Sequence, residues 1–281
     1  MSDHVLGVLG GGLIDPTTPL LRADDLGVLR GDAVFETIRL HEGRLDALDA
    51  HLGRLVRSAA ALGLPDPDLT AWRALVDEVV AGWGERGEAM LRLVLTRGVE
   101  GGPPTAFALI APVPGSTLAA RRDGVRVVTL SRGVSSTAHD DSPWLLGGAK
   151  TTSYAVNMAA QRYAQALGSD DVIFVSTDGL VLEAPTATVV WAIGETLHTP
   201  PTTVGILDGT TVHTLFDHAG AHGFATAVTT TTVAGLHAAD AVWLVSSVRG
   251  AVAVTAIDGT ERGDGGLTAR VQSAAGLKAV K

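Results

Sequence analysis

Gly147-Gly148-Ala149-Lys150-Thr151-Thr152-Ser153-Tyr154-Ala155-Val156-Asn157-Met158 places a lysine in the middle of a chain that otherwise relies on arginine. Of the 21 basic residues only Lys150, Lys278 and Lys281 are lysines, and the last two fall within the final four positions. The two cations differ in chemistry. A desolvated ammonium can lose its proton and attack a carbonyl, whereas a guanidinium stays charged. Leu145 and Leu146 and the small residues 147–149 before Lys150 favour its partial burial. The alternative is a surface lysine at a helix N-terminus, where a positive charge is slightly unfavourable. A helix beginning beside Lys150 would set Tyr154, Asn157 and Gln161 in one polar line on its side.

On either side of this stretch the pattern mixes strands and helices. Val5–Leu9 is a short apolar strand, and residues 33–40 alternate at period two before His41-Glu42-Gly43 turns the chain back into Arg44-Leu45, a hairpin. Apolar positions recur at helical spacing from Ala47 to Leu62 and from Leu69 to Gly82, and strands follow at Met90–Thr96 and Ala106–Ile110. Pro112 and Pro114-Gly115 break the pattern, which predicts domains at 1–114 and 115–281 with Lys150 in the second. That second part reads as strands at Val125–Leu130, Val172–Ser176, Thr188–Ala192 and Ala241–Val245. Its helices are expected at Thr152–Leu167, from Thr210 or Thr211, and near Leu267–Ala275. Without regular βαβ repetition the expected class is α+β in two domains.

Bulk properties narrow the chemistry. The 281 residues, 46% hydrophobic, suffice for a sizeable core, and a formal charge of −9 argues against nucleic acid or an anionic membrane as partner. Cysteine is absent, which excludes disulfides, thiolate nucleophiles and cysteine-based metal sites. His218 and His222 stand four apart but have no H-E-x-x-H and no evident third ligand, so no metal is expected. No signal-peptide pattern and no long apolar run occurs, and the expected location is cytoplasmic. The partner left by these exclusions is a small molecule.

With Lys150-Thr-Thr-Ser-Tyr-Ala-Val-Asn in view, the sequence resembles the class IV pyridoxal phosphate enzymes of fold type IV. That family includes branched-chain and D-amino acid aminotransferases and 4-amino-4-deoxychorismate lyases. Four further segments share the resemblance: Gly31-Asp32-Ala33-Val34-Phe35-Glu36-Thr37, His51-Leu52-Gly53-Arg54-Leu55, Leu182-Glu183-Ala184-Pro185-Thr186-Ala187-Thr188, and Thr199-Pro200-Pro201 with Gly205-Ile206-Leu207-Asp208-Gly209-Thr210-Thr211. The resemblance implies a smaller N-terminal and a larger C-terminal domain, a homodimer, and pyridoxal 5'-phosphate as cofactor. It implies Lys150 as Schiff-base and catalytic lysine, Tyr154 at the phenolic oxygen, and Glu183 at the pyridine nitrogen, where a carboxylate keeps the ring an electron sink. Arg54, Thr210 and Thr211 are implied at the phosphate, with Thr188 and Ser247 as further cofactor contacts. Thr188 stands where many members carry asparagine, and Arg30 where an aromatic or histidine is frequent.

The cofactor does not select the reaction; the substrate pocket does. Arg30, Arg92, Arg97 and Arg249 are the candidates for holding carboxylates, although on one regular strand Arg92 and Arg97 face opposite sides. Several arginines suit a dicarboxylate. The expectation is therefore 4-amino-4-deoxychorismate lyase, giving 4-aminobenzoate and pyruvate for folate synthesis. The alternatives are a class IV aminotransferase acting on branched-chain or D-amino acids, or a non-catalytic binding protein for the cofactor or another small ligand.

Overall fold

The computed structural model describes residues 3–277. The chain forms two compact units. One contains residues up to Pro114 together with Ala149–Tyr154, and the other contains Gly115–Gly148 and the chain from Ala155 onward. The longer segment of the first unit ends at Pro114. Lys150, expected in the second domain, belongs to the first.

In the first unit the strands are β1 (Val5–Val8), β2 (Gly12–Ile14), β3 (Ala33–His41), β4 (Arg44–Leu45), β5 (Ala89–Thr96) and β6 (Thr105–Pro112). They form one antiparallel sheet in the order β2-β1-β6-β5-β3-β4. The helices are α1 (Leu26–Arg30), α2 (Leu48–Ala61) and α3 (Leu69–Trp83). Alternation along the strands sends Val34, Ile38, Leu40, Leu91, Leu93 and Ile110 into one core with Leu52, Leu55 and Ala59 of α2 and Trp72, Val76 and Val79 of α3. Asp68 starts α3 by accepting from the N–H groups of Thr70 and Ala71, which satisfies two donors of its first turn.

The second unit runs α4 (Gly115–Asp123), β7 (Val125–Ser131), α5 (Ala155–Ala166), β8 (Asp171–Val175), β9 (Glu183–Ala184), β10 (Ala187–Ile193) and β11 (Thr196–Thr199). It continues through α6 (Thr210–Ala219), β12 (Ala225–Val228), α7 (Val233–Ala238), β13 (Ala241–Ser246), β14 (Gly250–Ile257), β15 (Thr260–Glu261) and α8 (Thr268–Ala274). Its nine-stranded mixed sheet has the order β12-β11-β10-β13-β14-β7-β8, with β9 on β10 and β15 on β14. Val189, Val190, Trp191, Val242, Trp243 and Leu244 are buried in consecutive positions on the paired central strands β10 and β13. Strands covered on both faces read as continuous apolar runs, which is why β10 and β13 were legible in sequence.

The lysine segment departs from the expected helix. Helix α5 begins at Ala155, and Tyr154 precedes it. β4 pairs only with Leu40 and His41 of β3. Along the other half of that edge, Phe35 N–H donates to the Lys150 carbonyl at 3.2 Å, Thr152 N–H donates to the Ala33 carbonyl at 2.9 Å, and Val34 bridges Thr151. The residues after Lys150 complete an edge whose polar backbone would otherwise lack partners, and that pairing holds them extended.

Candidate active site

Lys150 is half-buried and anchored through its main chain. Its N–H donates to Ser58 Oγ at 3.0 Å, and Ser58 is a buried residue of α2. Thr152 Oγ1 and Ser153 Oγ both donate to the Gly31 carbonyl, at 3.1 and 3.0 Å. Gly31 has φ 68°, and a Cβ there would lie 2.7 Å from Ser153 Oγ, so both backbone conformation and space call for glycine. The lysine side chain lies over an aromatic pair. Its Nζ is 4.4 Å from the Phe35 ring centre and donates to Tyr154 Oη at 3.3 Å, while the two rings meet edge to face. The sequence-expected pairing of Lys150 with Tyr154 is therefore present, brought about by the extended segment rather than by a helical turn.

Arg54 lies on the buried face of α2, one turn before Ser58. Its Nε and Nη2 donate to the two oxygens of Glu36 at 2.8 and 2.7 Å, and His51 Nδ1 lies 2.6 Å from Glu36 Oε2. Glu36 is fully buried. Burial alone would raise its carboxyl, but hydrogen bonds and charge from Arg54 and His51 outweigh that and lower it to about 2. Neither Glu36 nor Ser58 had been given a role from sequence. A signal for Glu36 existed: β3 points Val34, Glu36, Ile38 and Leu40 to one side, and a carboxylate in an apolar row needs a buried cation.

The second unit carries the other candidates. Glu183 is a half-buried residue of β9 paired across to Thr188 of β10, and its Oε2 accepts from Leu207 N–H at 3.2 Å. Thr210 and Thr211 are buried in the first turn of α6, whose N-cap Gly209 offers no side chain to cap it. A Cβ on Gly209 would lie 2.7 Å from Thr188 Oγ1, which brings the threonine hydroxyl against the start of the helix. A helix N-terminus with hydroxyls and a close backbone approach suits a phosphate, and the half-buried carboxylate suits a protonated ring nitrogen. Ser247 is half-buried in the turn between β13 and β14. Asn157 donates to the Pro185 carbonyl at 2.7 Å and Gln161 to Asp171 at 3.3 Å, so both are engaged within this unit.

The four arginines divide into two pairs. Arg97 grips Asp32 through Nε and Nη2 and also reaches the carbonyls of Leu62 and Gly63. Arg249 donates to buried Asp171 at 2.8 Å and to Thr186 at 3.2 Å. Arg30, at the end of α1, and Arg92, opposite Thr37 in the sheet, are exposed. Among the described residues no cluster could hold a metal ion, and no helix is long and apolar enough to cross a membrane.

The fold agrees with what comparison finds. The chain belongs to the amino-transferase class IV family, whose family model matches residues 33–257. The family depends on pyridoxal phosphate. A bifunctional aminodeoxychorismate lyase / D-amino acid transaminase of Mycobacterium tuberculosis is 50% identical over 187 residues, covering 66% of this chain and 65% of that protein. The match thus spans a little under two thirds of that curated relative. A solved hypothetical aminotransferase from Mycobacterium tuberculosis in PLP-bound form superposes with a TM-score of 0.93 at 43% identity, covering 97% of both chains. The same protein with alpha-ketoglutarate and PMP bound gives 0.94 at 44%, again over 97% of each.

Proposed function

We propose that the protein is a pyridoxal-phosphate-dependent 4-amino-4-deoxychorismate lyase. The observation that carries the reading is Lys150. A lone internal lysine has its main chain fixed at both the N–H and the carbonyl, and its amine lies between Phe35 and Tyr154. A fixed main chain limits where a nucleophilic amine can go, and proximity is a large part of such catalysis. Within the first unit we assign Lys150, Tyr154 and Arg54 to the cofactor, and for Glu183, Thr188, Thr210, Thr211 and Ser247 a cofactor role is proposed from the family resemblance. When bound, pyridoxal phosphate supplies the electron sink for a carbanion next to the substrate amine. Lys150 would hold the cofactor through its aldehyde, and its amine, once free, would take the proton from the ring carbon bearing nitrogen. The C–O bond on the adjacent ring carbon would then break, the enolpyruvyl group would leave as enolpyruvate and take up a proton to become pyruvate, and the aromatic ring left behind is that of 4-aminobenzoate.

Two carboxylates on the substrate call for cations. Arg30 and Arg92 are exposed and make none of the ion pairs described above, whereas Arg97 and Arg249 must exchange existing carboxylate partners to take part. That narrows the arginine argument and gives weight to a second reading, transamination of D-amino acids. It is supported by the Mycobacterium relative, which is named for both activities. A cytoplasmic homodimer is part of the proposal by family resemblance.

The test is a paired assay on one preparation, with enzymatically generated aminodeoxychorismate in one arm and D-alanine plus 2-oxoglutarate in the other. The lyase reading predicts 4-aminobenzoate and pyruvate in equal amounts. Keto-acid exchange without 4-aminobenzoate sinks that reading and leaves the transaminase. In Lys150→Ala both activities fall by ~10⁴-fold or more, since the nucleophile and base are removed together. Borohydride fixation of the cofactor on a residue other than Lys150 would refute both.

A further inference from the structure

The buried cluster of Glu36, His51 and Arg54 carries an inference that rests on assigning Arg54 to the cofactor phosphate. A long arginine side chain loses rotamer entropy when it is held in one geometry, and a buried guanidinium without a counterion is costly. Glu36 answers both problems. Its two oxygens take Nε and Nη2 of Arg54, and two bonds to one carboxylate fix the plane of a guanidinium and hence the direction of its remaining N–H groups. His51, bonded to Oε2, in turn fixes the carboxylate. One turn further along α2, Ser58 holds the Lys150 main chain, so a single helix sets both the arginine and the lysine segment.

We propose that Glu36 is a positioning residue that, with His51, holds Arg54 aimed for the phosphate of pyridoxal phosphate before the cofactor arrives. Removing the carboxylate has two opposite effects: it makes the cluster more positive, which favours phosphate, and it releases the guanidinium plane, which disfavours it. The added positive potential acts on phosphate only if the guanidinium remains aimed, and Glu36 takes both bonds of its fork. Alignment therefore dominates, and phosphate affinity falls.

The experiment titrates cofactor-free wild type and Glu36→Gln with pyridoxal phosphate and, separately, with pyridoxal, which has the same ring and aldehyde but no phosphate. Visible absorbance of the lysine adduct reports the two affinities. The expected result is a fall of ~10-fold or more in the preference for pyridoxal phosphate over pyridoxal, with pyridoxal affinity held within about twofold, in line with the effect of outer-shell partners elsewhere. An unchanged preference, a parallel loss of both ligands or tighter binding of pyridoxal phosphate would overturn the proposal. If Glu36→Gln does not fold, His51→Gln removes one support of the carboxylate while keeping the ion pair, and a fall of about threefold in the same preference is expected. No change in that variant would again overturn it. Failure of the underlying cofactor reading looks different: borohydride would not fix pyridoxal on Lys150 of the wild type.

Discussion

The two units hold their candidate residues by different physics. In the first, Arg54 and Glu36 form a buried ion pair inside the hydrophobic layer between β3 and α2, and the lysine segment completes the edge of β3. In the second, the cofactor candidates are a half-buried carboxylate that accepts from the Leu207 N–H and a helix N-terminus built from a glycine and hydroxyls. Charges taken out of water must be paired for the unit to fold at all, whereas a helix terminus offers its partial charge with little desolvation. Substitutions in the first unit should therefore damage stability along with function, and those in the second should affect binding more selectively.

The sharpest way to break this contrast is Arg54→Ala. It leaves Glu36 buried without its cation, and the loss should be about 3–5 kcal/mol, read as a lower urea midpoint of the cofactor-free protein. Thr211→Val, a similar truncation of polarity in the second unit, should stay within about 1 kcal/mol in the same measurement. Equal losses would remove the distinction.

Acid should test the Glu36 ion pair next. The folded Glu36 carboxyl lies at about 2, below its ordinary value of 4.5. Its contribution is fully present above about pH 4.5 and is lost as pH falls toward 2. That amounts to something on the order of 3 kcal/mol. Urea midpoints measured across this window should fall in wild type and fall less steeply in Glu36→Gln. Parallel curves would show that the carboxylate does not carry acid sensitivity.

In the second unit Gly209→Ala tests the close approach at α6. The new Cβ would lie 2.7 Å from Thr188 Oγ1, so the helix start or the threonine must shift. We expect pyridoxal phosphate to bind ~10-fold more weakly, a loss of about 1.4 kcal/mol, while the melting temperature of the cofactor-free protein moves by only a few degrees. An unfolded variant, or an unchanged affinity, would contradict the division between the units.

Sequence reading succeeded where the signal was local. The long apolar runs gave β10 and β13, and the periodicity of residues 47–62 gave α2. It failed where partners came from far along the chain. Helix α5 was started too early because Lys150-Thr151-Thr152 carries no local sign that β3 has half an edge to offer, 115 or more residues earlier. The assignment of Lys150 to the second domain failed for the same reason. Strand β14 was missed although Gly250–Ile257 is strongly apolar, because its small alanines and the preceding Arg249-Gly250 hide the alternation. Arg97 and Arg249 read as available cations, since nothing local marks Asp32 or Asp171 as their partners.

Ser58→Ala should have the smallest effect, and it isolates the anchoring of the lysine segment from the ion pair beside it. The hydroxyl accepts one hydrogen bond from Lys150 N–H inside the first unit, so its loss leaves a part-buried donor unsatisfied, at a cost of about 1 kcal/mol. Arg54, a turn away, keeps its partner Glu36, and phosphate preference should therefore stay at the wild-type value. What should change is the lysine. With its main chain less constrained, the rate of adduct formation with pyridoxal should fall by about threefold to tenfold, since misplacement of a nucleophile is felt directly in rate. If Ser58→Ala instead changes the preference for phosphate and leaves the adduct rate untouched, α2 holds its two functional residues as one rigid piece rather than through separate bonds.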